Sequence, residues 1–494
     1  MDLTVLFFLT SGLFLGWSLG ANDAANIFGT AVGTRMVRFT TAAIVCSVFV
    51  ILGAVISGAG ATHTLGTLGA ISALAGAFMV ALAAALTVYV MTTWGLPVST
   101  SQAIVGAIIG WNVFSESVTD TGTLLKIFGT WVACPLLAAV IAGIILKLAQ
   151  VFQRLVKLHL LRLDAYSRLA LIFAGAFGAY SLGANNIANV MGVFVPASPF
   201  TDFDVADLFT LTSAQQLFLL GAMAIAVGVF TYSKRVMLTV GQELLPMSPV
   251  AAWVAVIAHA IVLFLFASEG LEQLLASAGL PTIPLVPVSS SQAVIGAVIG
   301  IGLARGGREI RWRLLGNIGA GWVTTPIISA IVCFVALFFL QNVFNQQVYK
   351  EVHYEVSPAV AKLLEGEVPF EDLADIQGKE FTSSIRFLDA LHEKVSLSGA
   401  QDREALRFGE IGDFLIQPRK LNALDDRWLT QSQIKALHEL SGQRFRYKWK
   451  LAQSLAQTSA DWRLREKTKV NKRYNKELKR QLDYVYRTFA VEAE

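Results

Sequence analysis

Long apolar blocks fill the first two thirds of the chain, separated by short polar or charged stretches. They fall at about 3–34, 38–60, 67–93, 97–113, 124–149, 168–196, 208–231, 248–268, 287–304 and 314–341. A hydrocarbon core about 30 Å thick needs about 20 helical residues, so the pattern predicts ten membrane segments. The landmarks then repeat in order. Ser18-Leu19-Gly20-Ala21-Asn22-Asp23-Ala24-Ala25-Asn26 returns as Ser181-Leu182-Gly183-Ala184-Asn185-Asn186-Ile187-Ala188-Asn189. Pro97-Val98-Ser99-Thr100-Ser101-Gln102-Ala103 returns as Pro287-Val288-Ser289-Ser290-Ser291-Gln292-Ala293, and Trp131-Val132-Ala133-Cys134-Pro135 is echoed by Trp322-Val323-Thr324-Thr325-Pro326. The chain therefore divides into membrane repeats 1–150 and 168–341, of five segments each, joined by a linker at 151–167. The fourth segment of each repeat is short and begins with Pro-Val-Ser. Gly106, Gly110, Gly296 and Gly300 follow those starts at four-residue spacing, as expected where helix backbones approach closely.

Charge changes abruptly after residue 340. Residues 1–340 hold 14 basic and 12 acidic residues, and residues 341–494 hold 25 and 23. The first part reads as a membrane domain and 345–494 as a soluble, helical C-terminal domain with a basic end. Each part nets +2, so charge gives no reason to expect a nucleic-acid partner. With the N-terminus outside and every segment crossing, loops 35–38, 147–168, 232–247 and 305–313 face the cytoplasm. They hold 13 of the 14 basic residues of the membrane domain. The opposite loops carry Glu116, Asp120, Asp202, Asp204, Asp207, Glu269 and Glu272. This separation satisfies the positive-inside rule and predicts a multi-pass protein of the plasma (inner) membrane. A re-entrant fourth segment would put the Lys147–Arg168 cluster outside, so a net crossing is expected there, as a broken helix or hairpin arm. Five is odd, so the halves enter from opposite faces. The expected fold class is an all-α membrane protein of two inverted-topology repeats with broken half-helices. Met1–Leu19 has no basic flank or cleavage site and reads as the first span.

The polar motifs carry the chemistry. An acidic side chain in a membrane span costs at least about 2.5–3.5 kcal/mol, so Asp23 must face a cavity, a cation, a proton or a hydrogen-bond network. Asn amides both accept and donate, and a Gly-Ala-Asn break frees carbonyls that can ligate a hard cation. Asp23 with Asn22, Asn26, Asn185, Asn186 and Asn189 is therefore the candidate cation-coupling set, with Asp23 a candidate Na+ ligand. The alternative is a set of interhelical hydrogen bonds that fasten the halves. Ser99, Thr100, Ser101 and Gln102, with Ser289, Ser290, Ser291 and Gln292, look like two helix starts, whose unpaired N–H groups suit anions. The spans hold few cationic residues, so a tetrahedral oxyanion would be held by neutral donors. Ordinary capping is the alternative, although capping needs one hydroxyl rather than three.

Other features add less. His63 and His259 have no repeat partner and read as structural. Cys46, Cys134 and Cys333 lie in apolar runs and read as small hydrophobes. Nothing resembles a catalytic centre or a phosphate loop, so no enzyme and no cofactor is expected. In the tail, Gln431–Leu440 and Phe445–Leu455 read as amphipathic helices. Arg444–Arg487 holds 14 basic and 4 acidic residues, either a contact for lipid headgroups or a partner, or a solvated helical face. Span parity places the tail outside.

At the two Asn motifs and the two Pro-Val-Ser clusters the chain resembles the inorganic phosphate transporter (PiT) family, over about residues 1–340. The resemblance implies an inverted-repeat homodimer that imports inorganic phosphate by symport with H+ or Na+. It implies that Ser99, Thr100, Ser101, Ser289, Ser290 and Ser291 hold the anion, and that Asp23 and the Asn-rich breaks hold the cation. Rocking or sliding of the broken helices would then expose the site to each side. Two departures stand out. Asn186 replaces a second Asp, which removes a charge from the cation site and favours a single cation. Gln102 and Gln292 stand where the family often has His, which excludes a His relay there. Sulfate or another tetrahedral oxyanion is the alternative substrate; an anion channel and an anion sensor are the more distant readings.

Overall fold

The computed structural model describes residues 3–491 except 70, 94–97, 157–158, 206–208, 244–247, 308–309, 311, 365–374, 422–423, 425–427, 467 and 469–470. Pro97 and Asp207 lie outside the described residues. The first unit contains α1 (Leu3–Gly33), α2 (Phe39–Ser57), α3 (Ala59–Leu68), α4 (Leu74–Thr93), α5 (Thr100–Phe114), α6 (Thr121–Leu155) and α7 (Leu160–Met191). It continues through α8 (Ser213–Thr231), α9 (Ser233–Glu243), α10 (Pro249–Leu265), α11 (Glu269–Ser277), of which Leu275–Ser277 count with the second unit, α12 (Ser290–Ala304) and α13 (Trp312–Asn342).

Seven described helices are long and apolar enough to cross a membrane, and α10 with α11 makes an eighth candidate bent by 67°. The remaining two expected segments are the fourth of each repeat, which the sequence marks as short. Helices α5 and α12 have 15 residues each, about 22 Å at 1.5 Å per residue. That is short of a core about 30 Å thick. Before α12 the chain has no regular secondary structure over 281–289, where Pro281, Pro284 and Pro287 deny a helix N–H donors and φ freedom. Each half-helix starts on a serine in extended conformation: Ser99 accepts the Gln102 N–H, and Ser289 accepts the Gln292 N–H. Hydroxyl caps of this kind fix where a helix begins.

The two halves pack by exchange. Helix α1 lies on α8 and α7 on α2, while α5 lies on α13 and α12 on α6. The repeated glycines make equivalent contacts. A Cβ at Gly20 would stand 1.9 Å from the Ile225 carbonyl oxygen, and one at Gly183 would stand 2.1 Å from that of Val50. A Cβ at Gly106 would stand 2.1 Å from the Pro326 oxygen, and one at Gly296 would stand 2.2 Å from the Pro135 oxygen. Backbone thus touches backbone across the halves, the small-residue packing that membrane helices use.

The second compact unit comprises residues 351–494 together with 116–118 and 275–281. Arg386 reaches Glu116 through Nη2 and Nε, at 2.9 Å each, and holds that carboxyl below the usual carboxylate range through hydrogen bonding. Ser384 Oγ accepts the Val118 N–H at 3.0 Å. The expected tail helices appear as Gln431–Glu439 and Lys448–Thr458. In the helix Lys472–Phe489, Leu478, Leu482, Val485 and Phe489 are buried at helical spacing, while Lys479 and Arg480 are exposed. This part of the basic stretch is a solvated helical face.

An all-α chain was expected, yet two short antiparallel ribbons occur: β1 (Phe203–Val205) with β2 (Phe209–Leu211), and Phe414–Leu415 with Arg444–Phe445. The first pairs alternating apolar and polar residues in what composition marks as an acidic loop. Asp202 still serves the next helix, accepting the Ser213 N–H at 2.6 Å.

Gly20→Val and Gly183→Val should each lose the exchange packing, at about 1–3 kcal/mol or more for an overpacked contact. Detergent-solubilised yield and melting temperature should fall for both. Gly129→Ala, where a Cβ meets nothing within 4 Å, should melt at or above the parent temperature.

Candidate functional site

The starts of α5 and α12 meet inside the membrane unit. Ser99, Thr100, Ser101 and Gln102 and their counterparts Ser289, Ser290, Ser291 and Gln292 are all buried. Ser101 Oγ donates to the Val288 carbonyl at 3.0 Å, and Ser291 Oγ donates to the Val98 carbonyl at 3.4 Å. Each half-helix start is therefore pinned to the residue that leads into the other. First-turn N–H groups of a helix lack partners within it, so two sets of free donors converge with the hydroxyls.

The Asn motifs reach these starts across the halves. Asn26 Nδ2 donates to Ser290 Oγ at 3.0 Å and to Ser291 Oγ at 3.4 Å. In the matching position Asn189 Nδ2 donates to Ser101 Oγ at 2.8 Å. The motif on α1 therefore serves the α12 start, and the motif on α7 serves the α5 start. Asn185 fastens the chain ahead of α12: its Oδ1 accepts the Val288 N–H at 2.8 Å and its Nδ2 donates to the Val286 carbonyl at 3.1 Å.

The replacement of Asp by Asn in the second half shows in the geometry. Asn186 Oδ1 accepts from Asn189 Nδ2 at 2.9 Å, a good hydrogen bond. Asp23 Oδ1 receives only long contacts, 3.4 Å from Asn22 Nδ2 and 3.5 Å from Asn26 Nδ2. Asp23 is 2% exposed, and no basic side chain pairs with it among the described residues. Gln102 Oε1, Gln292 Oε1, Asn186 Nδ2 and Asn189 Oδ1 are buried without a hydrogen-bond partner, so the site keeps capacity for both donors and acceptors of a guest. Asn22 is half-buried and lines a cavity of about 50 Å³ with Ser18, Trp17, Tyr89, Thr92 and Tyr232. No cluster of three or more His, Cys, Asp or Glu residues occurs among the described residues, so a cation here would be met by one carboxylate with amide and carbonyl oxygens.

One residue read from the sequence as structural also lies here. His259, on α10, is fully buried with Nε2 2.9 Å from Ser290 Oγ. It has no repeat partner, and its neighbour is 31 positions away, so no spacing in the sequence flags it. His63 is exposed on α3, and all three cysteines are free and buried.

A multi-pass helical protein whose halves bring two broken, hydroxyl-rich helix starts together in its interior has the build of a membrane transporter. This chain belongs to the phosphate transporter family, whose profile matches residues 19–163, 159–333 and 280–481. It is similar to a candidate phosphate permease of Methanocaldococcus jannaschii, at 26% identity over 336 residues, covering 68% of this chain and 97% of the relative. It is also similar to the sulfate permease CysP of Bacillus subtilis, at 29% identity over 358 residues, covering 70% of this chain and 90% of the relative. A solved structure of a sodium-dependent phosphate transporter matches with a TM-score of 0.52 and 24% identity, over 68% of this chain and 100% of that one. That match shows the shared fold.

Asn189→Ala should remove the hydrogen bonds to Ser101 Oγ and Asn186 Oδ1, at about 1–3 kcal/mol for the two. Its effect on thermal unfolding should be non-additive with Ser101→Ala, with a coupling of about 0.5–3 kcal/mol. Additive losses would show that the two side chains do not interact.

Proposed function

We propose that the protein is a secondary transporter that takes up inorganic phosphate together with a single cation, H+ or Na+, as an inverted-repeat homodimer in the plasma membrane. Asp23 carries this reading. A buried carboxylate with no basic partner needs a cation or a proton, and this one adjoins Asn26, which bonds to the α12 start. In this reading the anion lies between the two half-helix starts, held by hydroxyls and first-turn N–H groups. The cation lies at Asp23 with Asn22 and Asn26. Occupancy of the cation favours the anion by charge: it offsets the Asp23 carboxylate, which would otherwise repel the anion across an apolar interior. With Asn186 in place of a second carboxylate, one monovalent cation balances the Asp23 charge and the anion is left to the neutral donors. A protein of this kind moves its substrate unchanged, with no enzymatic step and no cofactor.

A second substrate reading has its own support. The CysP relative is named a sulfate permease, and neutral donors fit any tetrahedral oxyanion. Uptake of labelled phosphate into proteoliposomes, with sulfate as competitor and Na+ and pH gradients imposed separately, distinguishes the two. We expect accumulation above the equilibrium level that collapses with one of the gradients. Asp23→Asn should still insert and melt near the parent temperature, yet lose gradient-driven accumulation. Flux that only runs downhill in the parent protein would mean a channel, and near-normal accumulation by Asp23→Asn would refute its assigned role.

The tail is read as a soluble domain on the outer side. It shares its unit with 116–118 and 275–281, turns that the charge distribution of the loops places outside. The native cysteines are buried, which leaves a clean background for labelling. In right-side-out vesicles a membrane-impermeant maleimide should label Glu404→Cys directly. It should label Arg38→Cys only after permeabilisation; the reverse pattern would invert the topology.

A further inference from the structure

We infer that His259 is a positioning residue for the anion: its Nε2–H fills a lone pair of the Ser290 hydroxyl, which turns the hydroxyl's own proton toward the guest. The inference rests on the reading that Ser290 contacts the anion. A hydroxyl offers one donor and two acceptor sites. Asn26 Nδ2 already donates to Ser290 Oγ at 3.0 Å, which occupies one lone pair. The second protein neighbour is His259 Nε2 at 2.9 Å, and a neutral imidazole carries one N–H. If that proton were on Nδ1, Nε2 would accept the Ser290 proton and the hydroxyl would have nothing left to donate.

Burial decides between the two arrangements. His259 is fully buried, and its Nδ1 has no hydrogen-bond partner. A buried N–H without a partner is rarer than a bare acceptor, so the proton belongs on Nε2, where it has Ser290 to meet. Ser290 Oγ then accepts twice, from α1 and from α10, and its O–H points away from both donors. An anion has only acceptors to offer at a deprotonated oxygen, so a hydroxyl locked as a donor is what it requires. The device is confined to the second half. Thr100 occupies the position of Ser290 in the first half, and α4, which stands to α5 as α10 stands to α12, contains no histidine. The half that lacks the carboxylate at position 186 thus has a built-in orienting group instead.

Phosphate uptake kinetics in proteoliposomes of the full-length protein test this, with insertion and melting temperature measured for each variant. His259→Phe keeps a ring and removes the donor. We expect it to raise the phosphate KM about three- to tenfold, the range of one lost hydrogen bond, with a smaller change in kcat. His259→Gln returns an N–H within reach of Ser290 and should recover most of the loss. His259→Asn, whose shorter amide withdraws from Ser290, should behave like His259→Phe, and it supplies the comparison if the phenyl ring does not fold. Adding His259→Phe to Ser290→Ala should raise KM no further than Ser290→Ala alone. A parent-like KM in His259→Phe or His259→Asn, or a loss fully additive with Ser290→Ala, would overturn the positioning role while leaving the anion site intact. A parent-like KM in Ser290→Ala would remove the anion reading itself, and the role of His259 with it.

Discussion

A polar group in an apolar interior has to find its partner inside the protein, because no water is there to supply one. This chain meets that constraint by making each half satisfy the other. Asn26 in the first half reaches Ser290 and Ser291 in the second, and Asn189 in the second reaches Ser101 in the first. The same exchange governs the backbones, where Gly106 meets Pro326 and Gly296 meets Pro135. Half-helices of 15 residues could not be fixed at depth by their own length. They are fixed because their caps, hydroxyls and glycines all find complements across the repeat boundary.

The halves share this plan without being equivalent. In the second half the motif is tightly tied: Asn185 spans the lead into α12, and Asn186 accepts from Asn189 at 2.9 Å. In the first half Asp23 has only long contacts, and Asn22 lines a cavity. Charge and loose packing fall together on α1, while neutral bonding and rigidity fall on α7. If Asp23 binds and releases a cation, as proposed, the long contacts suit it, since strong fixed partners would compete with the ion.

Much of this could be read from the residues. The repeated Asn and Ser motifs pointed to residues that the fold does bring together, because a recurrence that keeps its order and spacing carries tertiary information even in a single chain. Hydropathy gave the membrane unit and the change of character near residue 340. It also marked the fourth segments as short; the structure adds where the helix begins, since Pro281, Pro284 and Pro287 fall in a stretch without regular secondary structure and leave 15 residues of helix. The ribbon at Phe203–Leu211 was hidden by its acidic residues, which suggested a plain loop. His259 was read only as structural, for a different reason. A lone histidine in an apolar helix has no periodicity to expose it, and its meaning comes entirely from Ser290, which the fold brings to it.

Reciprocity also limits how such a molecule can move. If each half moved as a rigid block, the Asn26 and Asn189 bonds would break together. Each buried group left unpaired would cost about 1–3 kcal/mol, and the bonds on both sides would be lost in the same step. The glycine contacts of α5 on α13 and of α12 on α6 are of another kind. They are van der Waals surfaces where small residues let backbones approach closely, and such surfaces lose little on a small displacement. Shear along these surfaces leaves the polar centre of α1, α7 and the two half-helix starts intact. The hydrogen bonds that build the site thus also define the body that would have to move as one, and the sliding surfaces around it are where displacement is least opposed.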